Sequence, residues 1–190
     1  MPGRLSSNPM LSKLRFRWHA LDSGDLKVFA ALAFFVLVLG GSTGFAYMDH
    51  ARRQAAEQRR VNLACLAENV YFEARGELLV GQYAVAEVTM NRVASPLFPD
   101  SVCDVVHEKR WDPKRKRYVA AFSWTELDSL RRPYGYEWRR AQAVASTIYD
   151  NNQEAPIADG ALFYHATRIS PDWAQSKTQL ARIGRHLFYE

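Results

Sequence analysis

Apolar residues change their spacing several times along this chain, and each change predicts a different element. Val28 to Tyr47 (VFAALAFFVLVLGGSTGFAY) contains no charge over twenty positions, enough for a helix to cross a bilayer core of roughly 30 Å. Leu63, Leu66, Ala67, Val70 and Ala74 then recur at helical spacing. Gly76 reads as the stop of that helix, because glycine enters the left-handed region without penalty. A second helix is expected from Gly81 to Val93, with Tyr83, Ala84, Val88 and Met90 among its apolar residues and Gln82 and Glu87 exposed. Pro96 and Pro99 end it. A short helix follows from Asp100 to His107, with Asp100 or Ser101 as its cap. A third long helix spans Glu137 to Asn151, its stripe being Trp138, Ala141, Ala145 and Ile148. The period then shortens. Ala161 to His165 (ALFYH) and Arg185 to Tyr189 (RHLFY) read as strands, separated by Pro171 and a helical turn near Trp173. The fold class is α+β: a mainly helical domain with a small antiparallel β-sheet, preceded by one transmembrane helix.

These elements divide the chain into a basic, disordered tail (1–27), a membrane anchor or signal segment (28–47), a linker (48–60) and a globular domain (61–190). Gly44-Phe45-Ala46 has the small-x-small form of a signal cleavage site. A retained anchor and a cleaved signal both place the domain outside the cytoplasm, in the periplasm or held at the inner membrane. Of the 190 residues, 25 are Lys or Arg and 20 Asp or Glu, a net charge of +5 with pI near 9.3. That lean towards acidic partners does not choose among nucleic acid, lipid headgroups and anionic wall polymers. The basic run Lys109 to Arg117 (KRWDPKRKR) reads either as a solvated loop or as a grip for an anionic polymer. Cys65 and Cys103, the two cysteines of the chain, suggest a disulfide in an exported protein, with two buried thiols as the alternative.

The sequence holds no HExxH, no paired CxxC, no GxSxG and no glycine-rich phosphate loop in its soluble part. His107, His165 and His186 are too widely and irregularly spaced to read as a metal set. The chemistry left is the carboxylate group Glu68, Glu73, Glu77 and Glu87. Glu73 falls in the last turn of its helix, where the negative end of the dipole favours the protonated form. A glutamate that keeps its proton near neutral pH suits a general acid. Asn69 lies four residues earlier, on the same helical face.

The segments NVYFEARGE, GQYAVAEVTMNRV, FPDSVCDVV, FSW, LFYHA and IGRHLFY, in that order across Val61 to Tyr189, resemble the SleB-type cell-wall hydrolase family. The resemblance implies a fold related to lysozyme-like lytic transglycosylases and peptidoglycan as substrate. It makes Glu73 the acid that protonates the glycosidic oxygen and then returns as base, with Glu77 the second candidate, either holding a substrate or fixing Arg75. Ser123, Trp124, Tyr164 and His165, with Asn69, become candidates for lining the glycan groove. No cofactor, no metal and no nucleic acid are expected; the partners are glycan strands and, through Val28 to Tyr47, a lipid bilayer. Three other activities stay open: a muramidase-type hydrolase, an N-acetylmuramoyl-L-alanine amidase, and a non-catalytic wall-binding protein. The insertion Lys114 to Arg117 departs from the pattern. Glu126 and Asp128 leave room for a second acid, as a true hydrolase would need.

Overall fold

The computed structural model describes residues 23–127 and 129–190. The expected basic tail up to residue 22 and the candidate acid Asp128 lie outside the described residues. The chain divides between Arg53 and Gln54 into two compact units, and helix α1 (Ser23–Ala74) runs through both.

In the first unit, α1 already includes residues 23–27, expected as tail. Its apolar side chains stand out from the helix, Phe34 and Leu37 being 70% and 73% exposed. Ser42 and Thr43 turn their hydroxyls back onto the Leu39 carbonyl, which satisfies polar groups inside an otherwise apolar stretch. By length and composition the helix can cross a membrane.

In the second unit, residues 54–60, expected as part of a linker, are helical and partly engaged. Arg59 forms a bidentate pair with Asp150, and Asn62 donates to the Tyr149 hydroxyl. Helices α2 (Leu79–Ala94), α3 (Val102–Val106) and α4 (Gly135–Tyr149) pack with the end of α1. Ser101 caps α3 by accepting from the Asp104 amide, and Asn151 closes α4 at a left-handed φ of 53°. Leu66, Val70, Val105 and Val144 meet in one core, and Val85, Val88 and Phe188 in a second. Each such side chain, fully buried, contributes roughly 1.5–3 kcal/mol.

Two small antiparallel sheets complete the domain. Strands β3 (Phe163–Ala166), β4 (Gln179–Ile183) and β5 (His186–Tyr189) form a sheet in the order β3-β5-β4. The two strands expected there are β3 and β5; β4, whose residues alternate only weakly, is an addition. The basic run expected as a loop contains a strand: β1 (Lys109–Asp112) pairs with β2 (Arg117–Ala120) as a hairpin. Four of its cations are met by Glu108, Asp112, Glu126 and Asp172, so most of its charge is paired within the chain.

Two residues expected to be exposed on α2 are buried. Gln82 donates to the Glu77 carbonyl. The Glu87 carboxylate gathers the Ile157 and Ala158 amides and the Gln153 side chain, clamping a segment that has no regular structure of its own.

Candidate active site

Helix α1 stops one residue after Glu73. The amide of Glu77 closes the turn onto the Ala74 carbonyl at 2.9 Å. Gly76 is not in the left-handed region expected of it. A Cβ there would lie 3.1 Å from Arg185 Nη2, and that nitrogen donates to the Gly76 carbonyl at 2.8 Å. A side chain there would need the tip of Arg185, from the β4–β5 turn, to shift by a few tenths of an ångström.

Glu73 is half-buried. Tyr164, on β3, donates its hydroxyl to Glu73 Oε2 at 3.2 Å. Burial pushes the Glu73 carboxyl above its ordinary range, while the Tyr164 hydrogen bond and the Arg92 charge pull it back in part. Desolvation is therefore the largest cause of the raised value. The Tyr164 phenol is itself held well above its usual value, first by burial and then by the Glu73 charge, so it stays a donor.

Glu77 behaves in the opposite way. Burial raises its carboxyl, but the side chain and amide of Arg185, together with the charges of Arg185 and His186, outweigh that effect and leave it below the ordinary range. Arg185 Nε lies 2.7 Å from Oε1 and its amide 3.2 Å from Oε2. The arginine held by Glu77 is Arg185, not Arg75, which lies over the Tyr71 ring. Glu77 is thus an ionised strut between the end of α1 and the β4–β5 turn.

Three of the expected groove residues are packed away. Asn69 is fully buried, donating to Thr89 and accepting from the Trp124 indole at 2.9 Å. Trp124 stacks on Phe72 with ring centroids 4.7 Å apart. His165 lies on the face of β3 opposite Tyr164, where it bonds the Tyr189 hydroxyl and packs against Trp173. All three are buried in packing and hydrogen bonds within the domain. Ser123 is exposed, in the 3-10 turn Ser123–Glu126. Cys65 and Cys103 are joined by a disulfide with their Cα atoms 5.3 Å apart. Beside the end of α1 a cleft of about 640 Å³ is lined by Tyr71, Phe72, Arg75, Leu130, Arg131 and Tyr134. Among the described residues no group of His, Cys, Asp and Glu is placed to hold a metal ion. His107 packs on Trp124 and His186 on Tyr164.

Sequence reasoning missed Arg92 and Arg185. Arg92 looks like a surface cation and is buried; Arg185 is exposed, and only its distant partner Glu77 marks it.

The domain is mainly helical, with a half-buried glutamate whose carboxyl is raised at a helix end and a cleft lined by the neighbouring residues Phe72 and Arg75 of that end. The profile of the cell wall hydrolase family matches residues 76–189, and the chain belongs to that family, of the SleB type. The matched span begins just after Glu73. A spore cortex-lytic enzyme of Bacillus subtilis (strain 168) is 35% identical over 131 residues, 68% of this chain and 37% of that protein. Another from Halalkalibacterium halodurans is 33% identical over 129 residues, 67% and 34% of the two chains. The chain thus spans about a third of the length of these curated relatives. The catalytic domain of the germination-specific lytic transglycosylase SleB from Bacillus anthracis superposes with a TM-score of 0.52 at 28% identity, over 68% of this chain and 93% of that domain.

Proposed function

We propose that the domain cleaves peptidoglycan glycan strands between N-acetylmuramic acid and N-acetylglucosamine as a lytic transglycosylase, with a lysozyme-like use of one acid. Glu73 donates its proton to the glycosidic oxygen as the bond to the anomeric carbon breaks. The C6 hydroxyl of the muramic acid then attacks that carbon and returns its proton to Glu73, leaving a 1,6-anhydro end. The observation that carries this reading is the Glu73 carboxyl, half-buried and raised by burial, yet held by the neutral Tyr164 rather than quenched in an ion pair. Neighbouring carboxylates are committed elsewhere, Glu77 to Arg185 and Glu87 to loop amides. The relatives named as cortex-lytic enzymes and a lytic transglycosylase support the substrate class. We place the domain outside the cytoplasm, tethered to the inner membrane through Val28 to Tyr47 or released from it by cleavage.

The test is digestion of purified sacculi with the full chain and with Glu73→Gln, followed by mass spectrometry of the fragments. Wild type should release anhydro-muramic ends, and the variant should lose roughly 10²-fold or more in rate. Reducing ends would replace this mechanism by hydrolysis, free stem peptides would make the enzyme an amidase, and undiminished release by Glu73→Gln would remove the proposed acid.

A further inference from the structure

Arg92 is a cation in an unusual place. It sits near the end of α2, 7% exposed, with its Nη1 buried and unpartnered. Its guanidinium carbon lies 5.2, 5.1 and 5.9 Å from the ring centroids of Phe98, Phe122 and Phe163. Removing a guanidinium from water is expensive, and three aromatic faces offset only part of that cost. A packing role alone would be served by Met or Leu.

What the charge does is visible in its partners. Arg92 Nε donates to the Leu162 carbonyl at 2.8 Å, two residues before Tyr164. The charge also acts on Glu73 and Tyr164. We propose that Arg92 is a positioning residue for the Glu73 reaction: through the Leu162 carbonyl it pins the start of β3 so that Tyr164 meets Glu73, and it supplies a buried positive charge to that pair. The inference rests on Glu73 being the acid. The groups acting on Glu73 are Tyr164 and Arg92; those acting on Arg92 are Tyr164, Glu108, Arg110 and Glu73. Arg110 stacks on the outer side of the cage, 4.3 Å from Phe98, and pairs with Glu108, so its charge is largely answered locally. Arg92 keeps its charge at every working pH. Removing it leaves the Glu73 proton held more tightly, because a nearby cation favours the carboxylate.

The experiment compares the full-length enzyme with Arg92→Met and Arg92→Lys on sacculi across pH, with Glu73→Gln alongside. Arg92→Met should lower kcat, on the order of 10²-fold for an acid displaced by about an ångström, with KM near that of wild type. Its alkaline limb of activity should move to higher pH. Arg92→Lys keeps the charge but not the hydrogen-bond geometry, so its alkaline limb should stay near the wild-type position while kcat recovers only in part. An unmoved limb in Arg92→Met, or unchanged kcat in both variants, would overturn the proposal. If Arg92→Met does not fold, Arg92→Lys decides: a wild-type kcat or a displaced limb overturns it. An active Glu73→Gln would instead bring down the reading of Glu73 itself.

Discussion

Removing the charge of Glu77 should weaken the fold and the reaction together. The side chain is only 6% exposed, whereas that of Arg185 is 69% exposed. The two partners therefore respond differently to Glu77→Gln: the guanidinium returns to water at little cost, while the buried end must find new bonding. A hydrogen bond to a charged group is worth roughly 1.5–3 kcal/mol. Glutamine keeps one acceptor for the Arg185 amide but turns an amino group towards the guanidinium. We expect a loss of about 2 kcal/mol, and about 3 kcal/mol for Glu77→Ala, which also leaves the amide of Arg185 unmatched. For a domain of this size 2 kcal/mol lowers Tm by about 8 °C. Thermal unfolding of the full chain in detergent, followed by near-ultraviolet circular dichroism, measures this. The pH dependence provides a second reading. Because the folded Glu77 carboxyl sits below its ordinary value, its contribution is present above the unfolded glutamate range and is lost as pH falls through the folded value. Glu77→Gln should flatten that acid-side loss. His186 works in the same direction over a higher window. Burial depresses its imidazole, opposed by the Glu77 charge, so stability falls as pH drops below the unfolded histidine range. A change below about 0.5 kcal/mol, within the range of ordinary surface substitutions, together with an unaltered acid limb, would refute the strut. Activity should fall too, since His186 packs edge-on against Tyr164, with ring centroids 5.4 Å apart.

Tyr164→Phe deletes the hydrogen bond that lowers the Glu73 carboxyl, so the alkaline limb of the pH–rate profile should move upward and the rate at fixed pH should change without loss of Tm. Cys65→Ser with Cys103→Ser opens a loop closed over a separation of 38 residues and should cost about 3–4 kcal/mol, read as a drop in urea midpoint that reducing agent reproduces in the wild type. Glu87→Ala leaves the Ile157 and Ala158 amides buried without an acceptor; a loss of roughly 2–4 kcal/mol is expected, with faster hydrogen exchange confined first to residues 153–158.

Where one physical rule acted alone, the sequence could be read. The stripe of α4, with Ala141, Ala145 and Ile148 buried, follows from spacing, and the half-buried Glu73 stands at a helix end as spacing implied. Polar residues on α2 could not be read, because polarity suggests solvent until a distant partner is known: Glu87 answers amides some seventy positions away. The hairpin β1–β2 was hidden for a related reason. Its cations look like a solvated run, and only the pairing of Trp111 with Tyr118 across the strands gives it a register. Gly76 follows the end of α1 as its spacing implies, but without the left-handed backbone that glycine at a helix stop suggests.

Trp124 has a practical value beyond its packing. Its indole is shielded from water, bonded to Asn69 and stacked on Phe72, one helical turn from Glu73, whereas Trp111 on the hairpin is 55% exposed. Of these two, an aqueous quencher such as iodide reaches Trp111 first and Trp124 last. With Trp138 and Trp173, both partly buried, and Trp18 replaced by Phe, Trp124 would become an optical reporter of the packing at the end of α1.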